Sequence, residues 1–120
     1  MSDVSTVSVV VPVYNSSAML PRLVERLEDV LASIAIDYEL VLVNDGSADD
    51  SWDGIVALAE GDPHVRGLDL VRNFGQHAAT LAGIRAARGE IVVTIDDDLQ
   101  NPPEEIPLLL AKLREGYDVV

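Results

Sequence analysis

Three consecutive carboxylates, Asp96-Asp97-Asp98, follow the apolar run Glu90 to Ile95 (EIVVTI). Alternate side chains of an extended segment share a side, so Asp96 and Asp98 point together and could bind one hard divalent cation without enclosing it. Such a cation keeps coordination positions free for a diphosphate, as Mg²⁺ usually does. Without it, adjacent carboxylates repel one another and raise their own pKa values. The same spacing also reads as a solvated loop whose acids cap the next helix. A calcium loop of the EF-hand kind is excluded, because the glycine and the twelfth-position glutamate it needs fall at Asn101 and Pro107.

Other candidates are weaker taken singly. Asp45, in Val43-Asn44-Asp45-Gly46-Ser47, could accept hydrogen bonds from a nucleobase N–H, yet Asp-Gly is common in turns and the turn reading wins on spacing alone. Arg72 and Asn73 could meet a phosphate or base, although a lone arginine there is more often a surface ion pair. His77 near a helix start could touch phosphate or be merely exposed, and His64 beside Pro63 reads as loop. No GxGxxG follows the first strand, and neither a GxSxG elbow nor a P-loop is present.

The elements that must position these groups alternate regularly. Thr6 to Val13 is a β-branched run suited to a strand buried on both faces. Ser16-Ser17 offers an N-cap for an amphipathic helix carrying Leu20, Leu23, Val24, Leu27, Val30, Leu31 and Ile34. Tyr38 to Val43 is a second strand, and residues 50–60 a second helix stopped by Gly61-Asp62-Pro63. Val65 to Val71 is a weaker strand. An alanine-rich helix over Gln76 to Ala87 follows, with Gly89 as its terminator. After the fourth strand, Glu90 to Ile95, Pro102-Pro103 and Glu104-Glu105 open a helix to about Arg114, and Tyr117 to Val120 starts a fifth strand. This α/β alternation demands right-handed crossovers and a mainly parallel sheet. Ligands of such sheets bind outside the carboxyl ends of the strands at a switch point, the edge shared by Tyr14-Asn15, Asp45-Gly46-Ser47, Arg72-Asn73 and Asp96 to Gln100.

Composition bounds the rest. The 120 residues suffice for one domain, 1–120, and 48% hydrophobic residues predict a packed core. No apolar run approaches a membrane span and no secretion signal opens the chain, so the expected location is cytoplasmic. Absence of cysteine removes disulfides, thiolate metal sites and cysteine nucleophiles. A net charge of -13 argues against a nucleic-acid partner. The charge is uneven. Residues 45–62 and 90–105 each hold six acids and no base, whereas 63–89 hold four arginines against one aspartate. Ending inside an apolar strand, the sequence is expected to be the first part of something longer.

Taken together, Val9-Val10-Val11-Pro12-Val13-Tyr14-Asn15, Val41-Leu42-Val43-Asn44-Asp45-Gly46-Ser47 and Ile95-Asp96-Asp97-Asp98 resemble the N-terminal part of a family 2 glycosyltransferase with the GT-A fold, a Rossmann-like nucleotide-binding half. Arg72 to His77, Leu81-Ala82-Gly83 and Asp98 to Pro107 narrow the likeness to polyprenyl-phosphate glycosyltransferases, both the undecaprenyl-phosphate 4-deoxy-4-formamido-L-arabinose type and dolichol-phosphate mannose synthases. The resemblance implies that Pro12, Tyr14, Asn15, Asp45, Arg72, Asn73, Asp96 and Asp97 line the donor site. It further implies that Asp96, Asp98 and Gln100 hold Mg²⁺ or Mn²⁺ on the diphosphate, with Asp98 central to catalysis. The implied reaction transfers a sugar, with inversion, from a nucleoside diphosphate (uridine favoured, guanosine next) to a polyprenyl phosphate on the cytosolic membrane face. The metal stabilises charge on the leaving diphosphate, and the anionic acceptor needs little deprotonation.

Two departures qualify that expectation. Asp97 stands where relatives often have alanine, and the acceptor-binding half and membrane-anchoring helices of the family would lie after residue 120. The chain is therefore expected to bind nucleotide and metal but to turn over poorly, and its open sheet edge favours self-association. The alternative from another class is a nucleotide-independent α/β interaction or regulatory module. A receiver domain of similar size does not fit, because its acidic positions carry Pro12-Val13-Tyr14 and Arg72-Asn73.

Overall fold

The computed structural model describes residues 6–33 and 37–96. Ile34, Asp97, Asp98, Gln100, the helix expected after Pro102-Pro103 and the fifth strand lie outside the described residues. Within them the order is β1 (Thr6–Val13), α1 (Leu20–Ser33), β2 (Asp37–Asn44), α2 (Ser51–Gly61), β3 (Val65–Asp69), α3 (Gln76–Ala86) and β4 (Ile91–Thr94). The four strands form one parallel sheet in the order β3-β2-β1-β4. The alternation expected from the sequence is therefore present, and the chain direction across the sheet reverses between β1 and β4.

Alternation within the strands assigns each face its cover. Val7, Val9, Val11 and Val13 of β1 join Leu40 and Leu42 of β2 against Leu20, Leu23, Val24, Leu27 and Leu31 of α1 and Ile55 of α2. A fully buried leucine contributes about 1.5–3 kcal/mol relative to an exposed one, so the leucine stripe of α1 is a principal source of stability. On the other face Val10, Val41 and Val43 meet Ala79 of α3. There the helix lies very close to the sheet. A Cβ on Gly83 would stand 2.3 Å from Val10 Cγ1 and 3.1 Å from Val43 Cγ2. Small residues at 79 and 83 let α3 seat directly over β1 and β2, which explains an alanine-rich helix lacking a leucine stripe.

Three local expectations change. Helix α1 starts at Leu20, so Ser16 and Ser17 lie upstream of the cap position; their amides bond instead to Ser51, the first residue of α2, and to Asp49 before it. Helix α3 ends at an extended Ala87 before Gly89 is reached. Gly89 is needed for close approach: its amide donates to Ser8 Oγ at 2.8 Å, and a Cβ there would lie 2.6 Å from Ser8 N. Strand β3 stops at Asp69 because β2, its neighbour, runs out at Asn44. Leu70 N still reaches Asn44 O at 3.0 Å, and Val71 is left exposed.

Candidate functional site

The register places Val13, Asn44 and Asp69 at one level, so β1, β2 and β3 deliver their following loops to a single rim. Pro12 shapes this rim from inside the sheet. Val10 O accepts the Ile95 amide at 3.1 Å, and residues two apart face the same neighbour. Pro12 therefore occupies the next donor position toward β4 and has no N–H to give, which ends the β1–β4 ladder beside the switch point. Buried opposite Val43, it acts through shape.

Polar side chains then tie the loops together. Asn44, almost fully buried, donates from Nδ2 to Asp69 Oδ1 at 2.8 Å and accepts the Ser47 amide at 3.3 Å. Asn15 takes a left-handed conformation, φ 51, which asparagine tolerates better than most residues. Its Oδ1 accepts the Ala48 amide at 2.7 Å, and its own amide donates to Ser47 Oγ at 3.0 Å. Ser16 N donates to Ser51 Oγ at 3.0 Å, and Ser51 Oγ in turn donates to Asp49 Oδ1 at 2.5 Å. That hydroxyl, followed by the Ser17 and Ser51 amides, holds the Asp49 carboxyl below its usual range despite some desolvation.

Asp45 is 3% exposed and is more than a turn residue. Its amide donates to Val13 O and its Oδ1 accepts the Phe74 amide, both at 2.8 Å. Gly46, at φ +66, lies under the same β3–α3 loop, where a Cβ would meet Asn73 N at 2.2 Å and Arg72 C at 2.4 Å. Asp45 and Gly46 therefore clasp residues 72–74 from the side. The Arg72 guanidinium sits over the Phe74 ring, 4.9 Å from its centroid, a cation–π contact that keeps the cation at the surface. Tyr14 is half exposed on the same edge.

Asp96, just past β4, is joined to this rim through α3. Gln76 Nε2 donates to Asp96 Oδ1 at 2.5 Å, and Gln76 follows the clasped loop by two residues. Of the residues expected to act, the fold thus gathers Tyr14, Asn15, Asp45, Arg72, Asn73 and Asp96 at the carboxyl ends of the strands, with Pro12 beneath. Ser47, expected on this edge, takes part as well, and the structure adds Asn44, Asp49, Asp69 and Gln76. Asn44 carried a signal, being the polar residue that closes an apolar strand, whereas Asp69 and Gln76 become meaningful through contacts 25 and 20 residues away.

Two polar groups occupy the opposite, amino-terminal edge. Glu39 accepts from Ser8 Oγ at 2.6 Å, Arg66 Nη1 at 2.7 Å and the Arg88 amide at 2.7 Å. Burial acts to raise its pKa, but these donors and the Arg66 charge prevail and lower it. Nearby, burial pushes the Glu28 carboxyl up to about 7, helped by the hydrogen bond and charge of Asp62 and opposed by Tyr38 and His64. Folded protein then holds a proton that the unfolded chain releases near 4.5. Glu28 contributes stability that is complete below that value and lost as pH rises toward about 7. Melting temperatures measured across this window should fall less steeply in Glu28→Gln than in the parent; equal slopes would show that Glu28 titrates normally.

No helix of the described residues is long and apolar enough to cross a membrane. Residues 8–120 match the sequence profile of Glycosyl transferase family 2. The chain is 52% identical over 119 residues to the undecaprenyl-phosphate 4-deoxy-4-formamido-L-arabinose transferase of Shewanella sediminis, covering 98% of this chain and 36% of that one. It is likewise 52% identical over 118 residues to the transferase of the same name from Pseudomonas paraeruginosa, covering 98% of this chain and 35% of the relative. This chain thus spans about a third of the length of the curated relatives it matches. Among solved structures, glucosyl-3-phosphoglycerate synthase from Mycobacterium tuberculosis with Mn²⁺ and UDP-glucose superposes with TM-score 0.72 at 29% identity, covering 93% of this chain and 40% of that one. A Pyrobaculum calidifontis mannosyltransferase with GDP-mannose and Mn²⁺ gives TM-score 0.73 at 24% identity, covering 90% and 31%, and supports the fold alone. With the profile covering nearly the whole sequence and the parallel sheet agreeing with the expected GT-A architecture, the chain belongs to glycosyltransferase family 2.

Proposed function

We propose that this chain is the donor-binding part of an enzyme that transfers a sugar, with inversion, from a nucleoside diphosphate to a polyprenyl phosphate at the cytosolic membrane face. The observation that carries the reading is Asp96, held by Gln76 at the carboxyl end of β4, beside the rim formed by Asn15, Asp45 and the 72–74 loop. Tyr14, Asn15, Asp45, Arg72 and Asn73 hold the nucleoside, and Pro12 opens the space they border. Asp96, Asp97 and Asp98 border the diphosphate. Asp45 contributes chiefly by fixing the loop, since one of its oxygens is already engaged.

The donor chemistry of Asp96 fits the implied metal: a partly buried carboxylate offers the hard oxygen that Mg²⁺ and Mn²⁺ prefer. Asp96, Asp98 and Gln100 would hold the ion, with Asp98 the catalytic member. When bound, it supplies a positive charge that stabilises the departing diphosphate. The acceptor phosphate is anionic at neutral pH, so the protein's own work is to orient the donor and exclude competing water. Support for a lipid phosphate comes from the names of the Shewanella and Pseudomonas relatives, and support for a uridine donor from the UDP-glucose complex of the mycobacterial structure.

Titrating the chain with UDP, GDP, ADP and CDP, each with and without Mn²⁺ or Mg²⁺, tests this. UDP is expected to bind most tightly and to need the metal. Equal affinity with and without metal would overturn the metal role. Absence of binding at millimolar concentration, with the fold intact by circular dichroism, would instead favour a nucleotide-independent interaction module.

A further inference from the structure

At the amino-terminal edge of the sheet, away from the donor rim, Glu28 of α1, Asp62 after α2 and His64 before β3 converge. One ligand atom from each lies within 4.8 Å of the others. We propose that these three side chains form a second metal site, selective for a divalent transition cation of the zinc class.

The donor set is mixed, one imidazole nitrogen and two carboxylate oxygens, with Glu28 on α1 meeting Asp62 and His64 of the α2–β3 turn. Three protein ligands with an open fourth position suit zinc, whereas Mg²⁺ prefers an all-oxygen octahedron. Zinc–ligand bonds of about 2.0–2.2 Å put tetrahedral donors roughly 3.3–3.6 Å apart. His64 Nδ1 and Asp62 Oδ1 already stand 3.3 Å apart, and a Glu28 carboxylate oxygen lies within 4.8 Å of both.

Tyr38, outside the triad, orients two of the ligands, as neighbours of established metal sites do, and the third is held by the His64 backbone. The His64 ring stacks on Tyr38 at 4.1 Å and 11°. The Tyr38 hydroxyl donates to Glu28 Oε2 at 3.3 Å, and the His64 amide donates to Asp62 Oδ1 at 2.9 Å. Solvent reaches the site, the His64 and Asp62 side chains being 43% and 23% exposed, so an ion can enter and keep a water. A bound ion would pin α1 to the α2–β3 turn.

The test titrates Zn²⁺ into the 120-residue chain carrying Asp96→Asn and Asp98→Asn, so that the donor rim does not contribute, with circular dichroism as the folding control. One Zn²⁺ should bind, Mg²⁺ should not displace it, and the His64 imidazole nitrogen resonance should shift. Adding His64→Phe, which keeps an aromatic ring on Tyr38 but removes the nitrogen, should lower the affinity at least ~10-fold. Glu28→Gln should weaken binding in the same direction. No Zn²⁺ binding in the Asp96/Asp98 background, or an affinity unchanged by both His64→Phe and Glu28→Gln, would overturn the proposal.

Discussion

Asp96→Ala and Asp98→Ala, made singly, are each expected to remove the metal dependence of nucleoside diphosphate binding while leaving the melting temperature within a few degrees of the parent. Asp96 lies at the end of an already formed strand and is partly exposed, so its loss leaves the core untouched. The diphosphate, in contrast, is expected to reach an acidic surface through the cation alone. A protein of net charge -13 repels a nucleoside diphosphate, and six of its acids fall within residues 90–105. Each tenfold loss of affinity corresponds to about 1.4 kcal/mol, and the loss should appear only in titrations containing Mn²⁺ or Mg²⁺. Gln76→Ala frees the Asp96 carboxylate to rotate and should give a smaller loss of the same kind. Binding that stays metal-dependent in both aspartate variants would place the cation elsewhere.

Gly46→Ala should be the most damaging small substitution at the rim. Its φ of +66 strains any L side chain, by about 1–2 kcal/mol. The new methyl would meet Asn73 N at 2.2 Å, Arg72 C at 2.4 Å and Asn73 Cα at 2.9 Å. Those are backbone atoms, which have no rotamer by which to move aside, so overpacking adds about 1–3 kcal/mol. Total stabilities of about 5–15 kcal/mol make this a large fraction. A melting temperature lower by roughly 10 °C or more is expected, together with weakened nucleotide binding, because the 72–74 loop must lift away from Asp45. An unchanged melting temperature would mean that the loop does not rest on Gly46.

Strand and helix types were legible because they depend on near-neighbour spacing. The continuous β-branched run in β1 and the leucine repeat in α1 can satisfy their burial in few ways. Boundaries were less legible where a distant partner decides them. Gly89 looked like a helix terminator, yet its smallness is used 81 residues away, against Ser8. Ser16 and Ser17 looked like caps, yet their amides are taken by Ser51 and Asp49, 35 and 32 residues further on.

The candidate site divides along the same line. Residue order alone determined the α/β alternation, the parallel sheet and the edge at which the polar loops gather, because right-handed crossovers leave few other arrangements. The acid run after the fourth strand and the uneven charge were likewise complete in the sequence. Tertiary structure decided what each side chain is free to do. It committed one oxygen of Asp45 to the Phe74 amide, laid the Arg72 cation over a phenyl ring and coupled Asp96 to Gln76. It also drew Glu28 of α1 onto the Asp62-Pro63-His64 turn, two stretches with no visible relation along the chain. Hydrogen bonds and close contacts act over about 3 Å in space, and sequence spacing says little about such distances once the chain has crossed the sheet.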